Sequence, residues 1–392
     1  MKIVHVMDWY IPNMGYQENY LPFHQQKLGH EVYIITSNLI PSKFKKKSYE
    51  KFELGSFQKN GVKIHRLKSI YLNKETGGFY LHKLGNILKR INPDVIHGHG
   101  FLNILTLQAI IYCKKNNVKL FVDCHVDNDN FHLDKFYKKV GFLLFKNFFL
   151  PRIIKETNVF LPVNPYAEDF LKNLGIPTPK IKLLPLGVDT SLFYSANKKR
   201  SNTREHLGVN KNEILLISSG NLDSSKDLDV LLNSFSCIVK RYEDSKLLLL
   251  GKWEQKYRRK INDLIKKLNI EEHIIFHDFV PHYELNNFYN AADISVFPGK
   301  LGIAMIEAIG PGLPIVVCDS PATEFIIQNG NGLSFERGNV KELTRKIEEY
   351  LDNPELRKKH EENALKLVQN KLSWEKIAEK SLSIYKKELG EK

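Results

Sequence analysis

Cysteine is scarce in this sequence and forms no recognisable pattern. The four cysteines stand far apart, without any C-x-x-C pair, at Cys113, Cys124, Cys237 and Cys318. This spacing excludes a disulfide-stapled secreted domain and a cysteine-based zinc module. We therefore expect all four to be small core side chains in a reducing compartment.

Long apolar runs are missing as well. No segment reaches the roughly 20 apolar residues that a transmembrane helix needs. No secretory signal pattern precedes the first apolar run, Ile3–Val6. These two absences predict a cytoplasmic protein that does not span a membrane.

A nucleic-acid-binding motif is also absent, although the chain carries a formal net charge of +14. Residues 1–190 contain 27 Lys and Arg against 15 Asp and Glu, a net of +12, which leaves 31 against 29 for the remainder. No helix-turn-helix, zinc-finger or RNA-binding signature accompanies this basic half. The charge therefore favours an anionic membrane surface over nucleic acid as a partner.

What the sequence does contain is a repeated alternation of short apolar runs, glycine-bearing turns and amphipathic segments. A chain of 392 residues is too long for one ordinary core and suits two domains of similar size. The alternation predicts an α/β fold with two Rossmann-like domains, over residues 1–187 and 188–373.

The most informative stretch runs from Ala292 to Phe325. It contains an apolar strand, a glycine-bearing loop, a short helix with Glu307, the turn Gly312–Pro314 and a second strand. Such a unit places backbone N–H groups at the carboxyl edge of a sheet, where phosphates and nucleotides bind. Glu307 would then accept hydrogen bonds from two ribose hydroxyls. The alternative is an ordinary strand–helix unit with a solvated glutamate.

This stretch resembles the donor-sugar signature of the retaining GT-B glycosyltransferases of family 4, also called glycosyl transferases group 1. In that signature two glutamates flank a glycine-bearing loop ahead of a Gly-x-Pro turn. Glu307 matches the second glutamate and Gly302 an intervening glycine, whereas Gly299, followed by Lys300, stands at the position of the first. The resemblance covers nearly the whole chain. It implies two domains facing a cleft and a C-terminal helix, 374–392, that crosses back to the N-terminal domain.

The family also has an arginine and a lysine that clamp the donor diphosphate. Lys226 matches the lysine, but Asn221 replaces the arginine. A cationic clamp is sensible, because negative charge accumulates on the leaving diphosphate as the glycosidic bond breaks. We hypothesise that Lys300 restores the missing cation or pairs with an acidic donor sugar; the alternative is that it points to solvent.

In the N-terminal domain, Gly15 lies in the first strand–helix turn, which in the family faces the donor phosphates and the acceptor. His125 follows a buried strand and matches the family's active-site histidine, which reaches the donor sugar and phosphate. Together with His97 and His99 it invites a zinc interpretation. The spacing matches no structural zinc site, so we expect no metal.

The resemblance, carried over position by position, gives two sets of site residues. Catalytic roles fall on His125, Lys226 and Glu307. Donor-binding roles fall on Gly15, Asn221, Gly299, Lys300, Leu301, Gly302 and Ile303.

Two surface segments have unusual composition. Residues 41–60 are polar and basic and predict a surface loop, with Val62–Arg66 as an edge strand. Residues 131–156 place aromatic and aliphatic residues at near-helical spacing among Lys135, Lys138, Lys139 and Lys146. Such a helix suits a membrane interface. The alternative, slightly favoured by its apolar residues on several faces, is a helix packed on the N-terminal sheet.

Together these features predict a retaining, metal-independent hexosyltransferase without a cofactor. It would move a sugar from a nucleotide-diphosphate sugar, most plausibly a UDP- or GDP-sugar, to a glycan or lipid-linked acceptor. It would be cytoplasmic, with a peripheral position on the inner face of the cell membrane as one option. Two alternatives stay open: a nucleotide-sugar epimerase of the same fold, and a catalytically silent subunit of a membrane assembly.

Overall fold

The computed structural model describes residues 1–12, 14–40, 51–73, 78–127, 131, 136–300 and 302–391. The predicted donor residue Leu301, the predicted interfacial residue Lys135 and residues 41–50 of the predicted surface loop lie outside these residues. The chain divides into two compact units. The first comprises Met1–Leu186 and Trp374–Lys392, and the second comprises Gly187–Ser373.

The first unit is built on a seven-stranded sheet of order β3-β4-β2-β1-β7-β8-β9. All neighbouring strands are parallel except β3, which pairs antiparallel to β4. A separate antiparallel pair is formed by β5 and β6. The strands are β1 Lys2–Met7, β2 Glu31–Ser37, β3 Gly55–Lys59, β4 Val62–Leu67, β5 Ser69–Asn73, β6 Gly78–Leu81, β7 Val95–Gly98, β8 Lys119–Cys124 and β9 Val159–Pro162.

Seven α-helices belong to the described part of the first unit. They are α1 Gln17–Lys27, α2 Leu84–Ile91, α3 Ile104–Asn116, α4 Phe136–Leu144, α5 Leu150–Glu156, α6 Pro165–Asn173 and the C-terminal α15 Trp374–Leu389. A π-helical turn, Phe145–Phe149, joins α4 to α5. Helix α15 packs its Trp374 and Tyr385 into the same apolar cluster as Ile3 of β1 and Phe121 of β8.

The second unit repeats the architecture with a six-stranded parallel sheet of order β12-β11-β10-β13-β14-β15. Its strands are β10 Ile214–Leu222, β11 Ser245–Trp253, β12 Ile274–Asp278, β13 Ile294–Phe297, β14 Ile315–Cys318 and β15 Gly332–Phe335. Its helices are α7 Asn197–His206, α8 Leu228–Arg241, α9 Gln255–Leu268, α10 Leu285–Ala291, α11 Ile303–Ala308, α12 Pro321–Ile327, α13 Val340–Asp352 and α14 Pro354–Leu367.

The six parallel strands of the first sheet and the six strands of the second both have the doubly wound order 3-2-1-4-5-6 of the Rossmann fold, which confirms the predicted α/β class. In the first unit the order reverses between β1 and β7, and in the second between β10 and β13. In open parallel sheets, ligands bind outside the carboxyl ends of the strands at this reversal. The fold therefore directs attention to the segments that follow these four strands.

Part of the predicted surface loop is a strand. Residues Gly55–Lys59 form β3 and pair with β4, so β3, and not β4, is the edge of the sheet. The turn between them is Asn60-Gly61, whose φ angles of 50° and 81° are those of a type I′ hairpin. The loop and edge-strand predictions for these residues were wrong because this turn was overlooked.

Helix α4 and the π turn after it bury none of their residues. Phe136 and Phe148 are 82% and 71% exposed, and Val140, Leu143 and Leu144 are exposed as well. Phe142 and Phe145 are partly buried: Phe142 contacts Phe131, and Phe145 packs against the core of the unit. The prediction of a helix packed on the sheet was therefore wrong for most of this segment.

Cys113, Cys124 and Cys318 are buried, but Cys237 is exposed, so the expectation that all four cysteines lie in a core was wrong for Cys237. Among the described residues, no helix combines the length and apolar character required to cross a membrane.

Candidate functional site

The order of the second sheet reverses between β10 and β13, and the segments after these two strands lie against each other. The amide of Lys300 donates to the carbonyl of Ser225 at 2.9 Å. The thiol of Cys318, at the end of β14, donates to the carbonyl of Gly299 at 3.2 Å. These bonds fix the loop after β13 onto the turn after β10.

Only glycine fits at position 299, because the loop after β13 passes close to the backbone of Ser225 and Lys226. A Cβ atom at this position would lie 2.3 Å from the Ser225 carbonyl oxygen and 2.5 Å from the Lys226 carbonyl carbon. Both contacts are with backbone, which cannot be moved as a flexible side chain can. The loop therefore has no room for a glutamate at this position, where the family signature has its first glutamate.

Lys226 sits at the centre of this junction. Its Nζ donates to the Lys300 carbonyl at 3.0 Å, and a Cβ atom at Gly302 would lie 3.4 Å from Nζ. Burial lowers the pKa of Lys226; nearby Asp223 opposes this effect, and the positive charge of Lys300 adds to it. Lys300 thus contacts Lys226 through its backbone carbonyl and affects the pKa of Lys226 through its charge.

Glu307 lies in the short helix α11, and its carboxylate is buried. Its Oε1 is 2.6 Å from Nε2 of His282, which precedes α10. Burial by itself would lower the pKa of His282, but its bond to Glu307 outweighs this and raises the pKa. The Glu307 carboxylate is therefore buried and paired with His282, and it is not the solvated residue of the alternative interpretation.

A buried tyrosine supports the start of α11. The hydroxyl of Tyr289 is 2.9 Å from that of Ser219 in β10 and donates to the Ala304 carbonyl at 3.2 Å. These contacts link the end of the central strand to the helix that carries Glu307.

The remaining predicted donor residues of this unit are placed as follows. Gly302 is the residue before α11, and Ile303 is the first residue of the helix. Asn221 is exposed near the end of β10, opposite Lys252 of β11 in the strand register. The structure thus brings Lys226, Gly299, Lys300 and Gly302 into one junction, and Asn221 lies at the same edge of the sheet.

In the first unit the predicted residues follow β1, which lies at the reversal, and β8, which is the neighbour of β7. Gly15, with a φ of 72°, lies in the turn between β1 and α1. His125 directly follows β8, and its side chain is 41% exposed. Its Nε2 is 3.5 Å from Oδ2 of Asp123, a carboxylate that is fully buried.

Three further histidines lie close together beneath this position. Single ring nitrogens of His5, His97 and His99 lie within 4.8 Å of one another. However, the rings of His97 and His99 are stacked, with centroids 4.6 Å apart and planes at 3°. The lone pairs of parallel rings point along parallel planes and cannot converge on one tetrahedral ion.

Both nitrogens of His5 are already used in hydrogen-bond contacts. Its Nε2 is 2.7 Å from Oε1 of Gln25, and its Nδ1 is 3.0 Å from Nε2 of His99. The geometry of these residues therefore favours a hydrogen-bonded network over a metal site.

Two functional candidates were missed in the sequence. His282 precedes Glu307 by 25 residues, and Asp123 was passed over in favour of His125 two residues later. Only the position of Asp123 at a strand end, beside a candidate histidine, could have indicated its importance. Nothing in the local pattern around His282 indicates its contact.

Comparison with known families gives two matches that together cover most of the chain. The family described as Glycosyltransferase Family 4 matches residues 23–192, and the family described as Glycosyl transferases group 1 matches residues 199–367. The two matches correspond to the two compact units.

Two curated relatives illustrate the similarity. An uncharacterized glycosyltransferase of Methanocaldococcus jannaschii is 26% identical over 56% of this chain, and the match spans 57% of its length, a little over half. The alpha-monoglucosyldiacylglycerol synthase of Acholeplasma laidlawii is 23% identical over 84% of this chain and 82% of its own.

Among solved structures, Anabaena HepE in complex with UDP superimposes with a TM-score of 0.74 at 14% identity, over 99% of this chain and all of HepE. Likeness at this level of identity concerns the fold. It agrees with the two doubly wound sheets described above.

Proposed function

The chain is a member of the group 1, family 4 glycosyltransferases with the GT-B fold, and from this premise we propose that it transfers a sugar from a nucleotide-diphosphate sugar to a lipid-linked acceptor. The assignment of a nucleotide-diphosphate sugar as donor is supported by the junction at the carboxyl ends of β10 and β13. There a half-buried lysine, Lys226, and a second cation, Lys300, adjoin the loop that leads into the helix of Glu307.

Each group suits one part of a nucleotide-sugar. Two lysine charges at the strand ends match the diphosphate, which is a dianion in neutral solution. Glu307 uses Oε1 for His282, which leaves Oε2 to accept from a ribose hydroxyl. The UDP bound to the Anabaena neighbour is the same class of ligand.

In the proposed reaction the bond between the anomeric carbon and the diphosphate oxygen breaks. Its electron pair leaves with the nucleoside diphosphate, and Lys226 and Lys300 stabilise the growing charge. The oxygen of the acceptor hydroxyl forms the new bond on the face that the diphosphate leaves, so the configuration is retained. Its proton passes to an oxygen of the departing diphosphate. His125 contributes a hydrogen bond to the sugar or phosphate, and no metal ion takes part.

The acceptor part of the proposal is supported by the exposed surface of α4. Phe136, Leu143 and Phe148 project from this segment, and Lys138 and Lys146 are exposed beside them. Exposed aromatic side chains among lysines fit the interface of an anionic membrane, where a lipid-linked acceptor is found. The relative from Acholeplasma laidlawii is named for the synthesis of a glucosylated diacylglycerol.

The donor is tested by calorimetry with UDP-, GDP-, ADP- and CMP-sugars on the purified full chain. We expect one nucleotide class to bind, and Glu307→Gln to weaken its binding by about 1.5–3 kcal/mol, as for a hydrogen bond to a charged group. Glu324→Gln, which alters an exposed glutamate in the next helix, is the matched control. Absence of binding by all four classes would contradict the donor assignment and favour the silent subunit.

A product assay separates the remaining functions. The bound donor is incubated with a lipid extract, and the anomeric configuration of the product is determined by NMR. A glycolipid that keeps the donor configuration supports retaining transfer. Conversion of the free donor into an epimer, without any acceptor product, would instead indicate the epimerase.

Membrane association is tested by sedimentation with vesicles of phosphatidylglycerol or of phosphatidylcholine alone. We expect binding only to the anionic vesicles, and its loss as ionic strength rises past physiological values. Replacing Lys138, Lys139 and Lys146 together by glutamine should abolish it. The matched control replaces three exposed lysines of α9, Lys256, Lys266 and Lys267. Equal loss in the control would contradict a specific role for α4.

A further inference from the structure

A chain of buried polar side chains connects the C-terminal helix to the strand end that carries His125. The hydroxyl of Ser381 in α15 donates to the Ala378 carbonyl at 2.7 Å, so its oxygen accepts from the Gln25 amide at 2.9 Å. This fixes the orientation of the Gln25 side chain, whose carbonyl oxygen then faces Nε2 of His5 at 2.7 Å. Nε2 of His5 therefore carries a proton.

The next link is the contact between His5 and His99. Burial, reinforced by the neighbouring His97 and His99, holds the pKa of His5 well below its ordinary value, so His5 is neutral. Its Nδ1 accepts a hydrogen bond from Nε2–H of His99 at 3.0 Å. Nδ1 of His99 lies 2.7 Å from Oδ2 of Asp123, so the ring connects His5 to this carboxylate.

Asp123 is the end point of this chain and is fully buried. Its Oδ1 accepts from the Gly100 amide at 2.7 Å. Its Oδ2 faces His99 at 2.7 Å, His125 at 3.5 Å and His97 at 3.6 Å, in close contacts that are not linear hydrogen bonds. Burial alone would raise the pKa of Asp123, but the charges of His99 and His125 outweigh it and hold the pKa well below its ordinary value.

The third histidine around Asp123 stays neutral. Burial lowers the pKa of His97 to about 4, against the opposing effect of Asp123. Its Nδ1 is 2.6 Å from the hydroxyl of Tyr385, which acts as donor. His97 therefore adds no charge beside Asp123, whose other two close histidine neighbours are His99 and His125.

We propose that Asp123 is the positioning residue for His125: it turns Nε2 of the ring toward itself and keeps the ring protonated, so that Nδ1–H is presented to an oxygen of the donor. This inference deepens the transfer reaction proposed above and rests on it. A protonated donor is the useful form, because it places a positive charge beside the phosphate or sugar oxygens as negative charge develops.

The electrostatics of His125 agree with this arrangement. Burial lowers its pKa, but Asp123 and, to a smaller extent, Glu18 reverse the direction and raise it. The carboxylate is buried whereas the ring is partly exposed, so the ring can be reached by a ligand while its partner stays shielded from solvent. Shielding strengthens the pair relative to one in water.

Other titratable groups face this network and have to be distinguished from His125. His5, His97, His99 and Tyr385 face Asp123 or its partners, as described above. Asp8, after β1, faces His99; burial raises its pKa to about 6, with His99 opposing and Glu18 adding to the shift. An activity profile near pH 6 therefore contains Asp8 as well, and a residue-specific measurement is needed.

The test is an NMR titration of the histidine ring signals in the full chain without donor. The His125 signal is assigned by its loss in His125→Gln. We expect its midpoint to lie above the ordinary histidine value of about 6.5, and to be lower in Asp123→Asn. The matched control is Asp127→Asn, which removes a buried carboxylate four residues further along the chain and should leave the midpoint unchanged.

Activity provides the second measurement. Transfer that needs protonated His125 is lost as pH rises through the midpoint of His125, so this loss should occur at lower pH in Asp123→Asn. We expect kcat of the variant to fall by up to about a hundredfold, with little change in KM for the donor. In Asp123→Glu, the His125 midpoint and kcat should both lie between those of Asp123→Asn and the wild type. A purely structural role of Asp123 would not require this.

Two results would overturn the proposal. One is a wild-type His125 midpoint at or below about 6.5, a measurement that needs no variant to fold. The other is an unchanged midpoint in a folded Asp123→Asn protein. Because the titration requires no donor, a protein that transfers no sugar would refute the proposed function and still report on Asp123.

Discussion

Nε2 of His282 lies 2.6 Å from Oε1 of Glu307, with the two side chains 25% and 7% exposed. The bond joins the segment before α10 to helix α11, and it fixes one oxygen of the carboxylate that we assign to the donor ribose. An exposed ion pair of this type contributes little to stability, whereas a shielded and charge-assisted bond contributes more. The pair is therefore expected to matter for the unfolding of the second unit.

We predict that His282→Gln lowers the free energy of unfolding in a pH-dependent way. The pKa of His282 is raised in the folded protein above its ordinary value of 6.5. The stabilisation is therefore complete below about pH 6.5 and is lost as pH rises through the higher folded pKa. Urea unfolding of wild type and variant between pH 5 and 9 measures the difference.

The control for this prediction is His277→Gln, a histidine whose Nδ1 contacts only the backbone carbonyl of the following residue in the described contacts. It should show no comparable change of stability with pH. A wild-type-to-variant difference for His282 that stays constant, or grows toward alkaline pH, would contradict the ion pair.

The fold could be predicted because its signals are local. Short apolar runs, glycine turns and amphipathic helices recur in both halves, and each is defined within about ten residues. The missed strand β3 also had a local signal, since Asn60-Gly61 is a strong hairpin sequence. By contrast, the exposure of α4 depends on what the rest of the unit covers, and a helix apolar on several faces is ambiguous by itself.

The site was predicted only in part, for the same physical reason. Lys226 and Glu307 stand in motifs that a sequence displays directly. Their environments arise from tertiary contacts: Lys226 from the carbonyl of Lys300, and Glu307 from His282. The role of Asp123 depends on three histidines from different positions along the chain converging on one oxygen, which no spacing rule describes.

We predict that Lys226→Ala lowers turnover more than donor affinity. Charge on the diphosphate grows toward the transition state, so the lysine stabilises that state more than the bound donor. We expect kcat to fall about a hundredfold, by analogy with the loss of one preorganised donor. Steady-state kinetics with the identified donor measure the effect, and Lys240→Ala, an exposed lysine of α8, is the control. Wild-type turnover in Lys226→Ala would show that Lys226 does not stabilise the leaving diphosphate.

We predict that Gly299→Ala destabilises the second unit and weakens donor binding together. The added methyl group would approach the backbone of Ser225 and Lys226 to within 2.3–2.5 Å, and the loop must move away. Overpacking of this kind costs about 1–3 kcal/mol. Gly85→Ala, where a Cβ atom meets nothing within 4 Å, serves as the control. Unchanged unfolding of Gly299→Ala by urea would show that the loop does not depend on this contact.

Lys300 gives a test in which the two forms of its proposed role diverge. Burial lowers the pKa of Lys226, and the positive charge of Lys300 adds to this effect. If Lys300 replaces the arginine missing at Asn221, Lys300→Ala should impair all accepted donors alike. Asn221→Arg should then restore part of the loss in the double variant, because Asn221 lies at the same edge of the sheet.

If Lys300 instead recognises an acidic sugar, the pattern of kinetic effects changes. Lys300→Ala should then impair only donors whose sugar bears a carboxylate, and Asn221→Arg should restore nothing, since a cation beside the diphosphate cannot reach the sugar acid. A cation in a partly desolvated site interacts several times more strongly than in water, so kcat/KM should change measurably in either case. The comparison requires four proteins, the wild type, both single variants and the double variant, each assayed with a neutral and an acidic donor. Unaltered kcat/KM of Lys300→Ala on both donors would reject both roles, and the clamp would then rest on Lys226 without a second lysine.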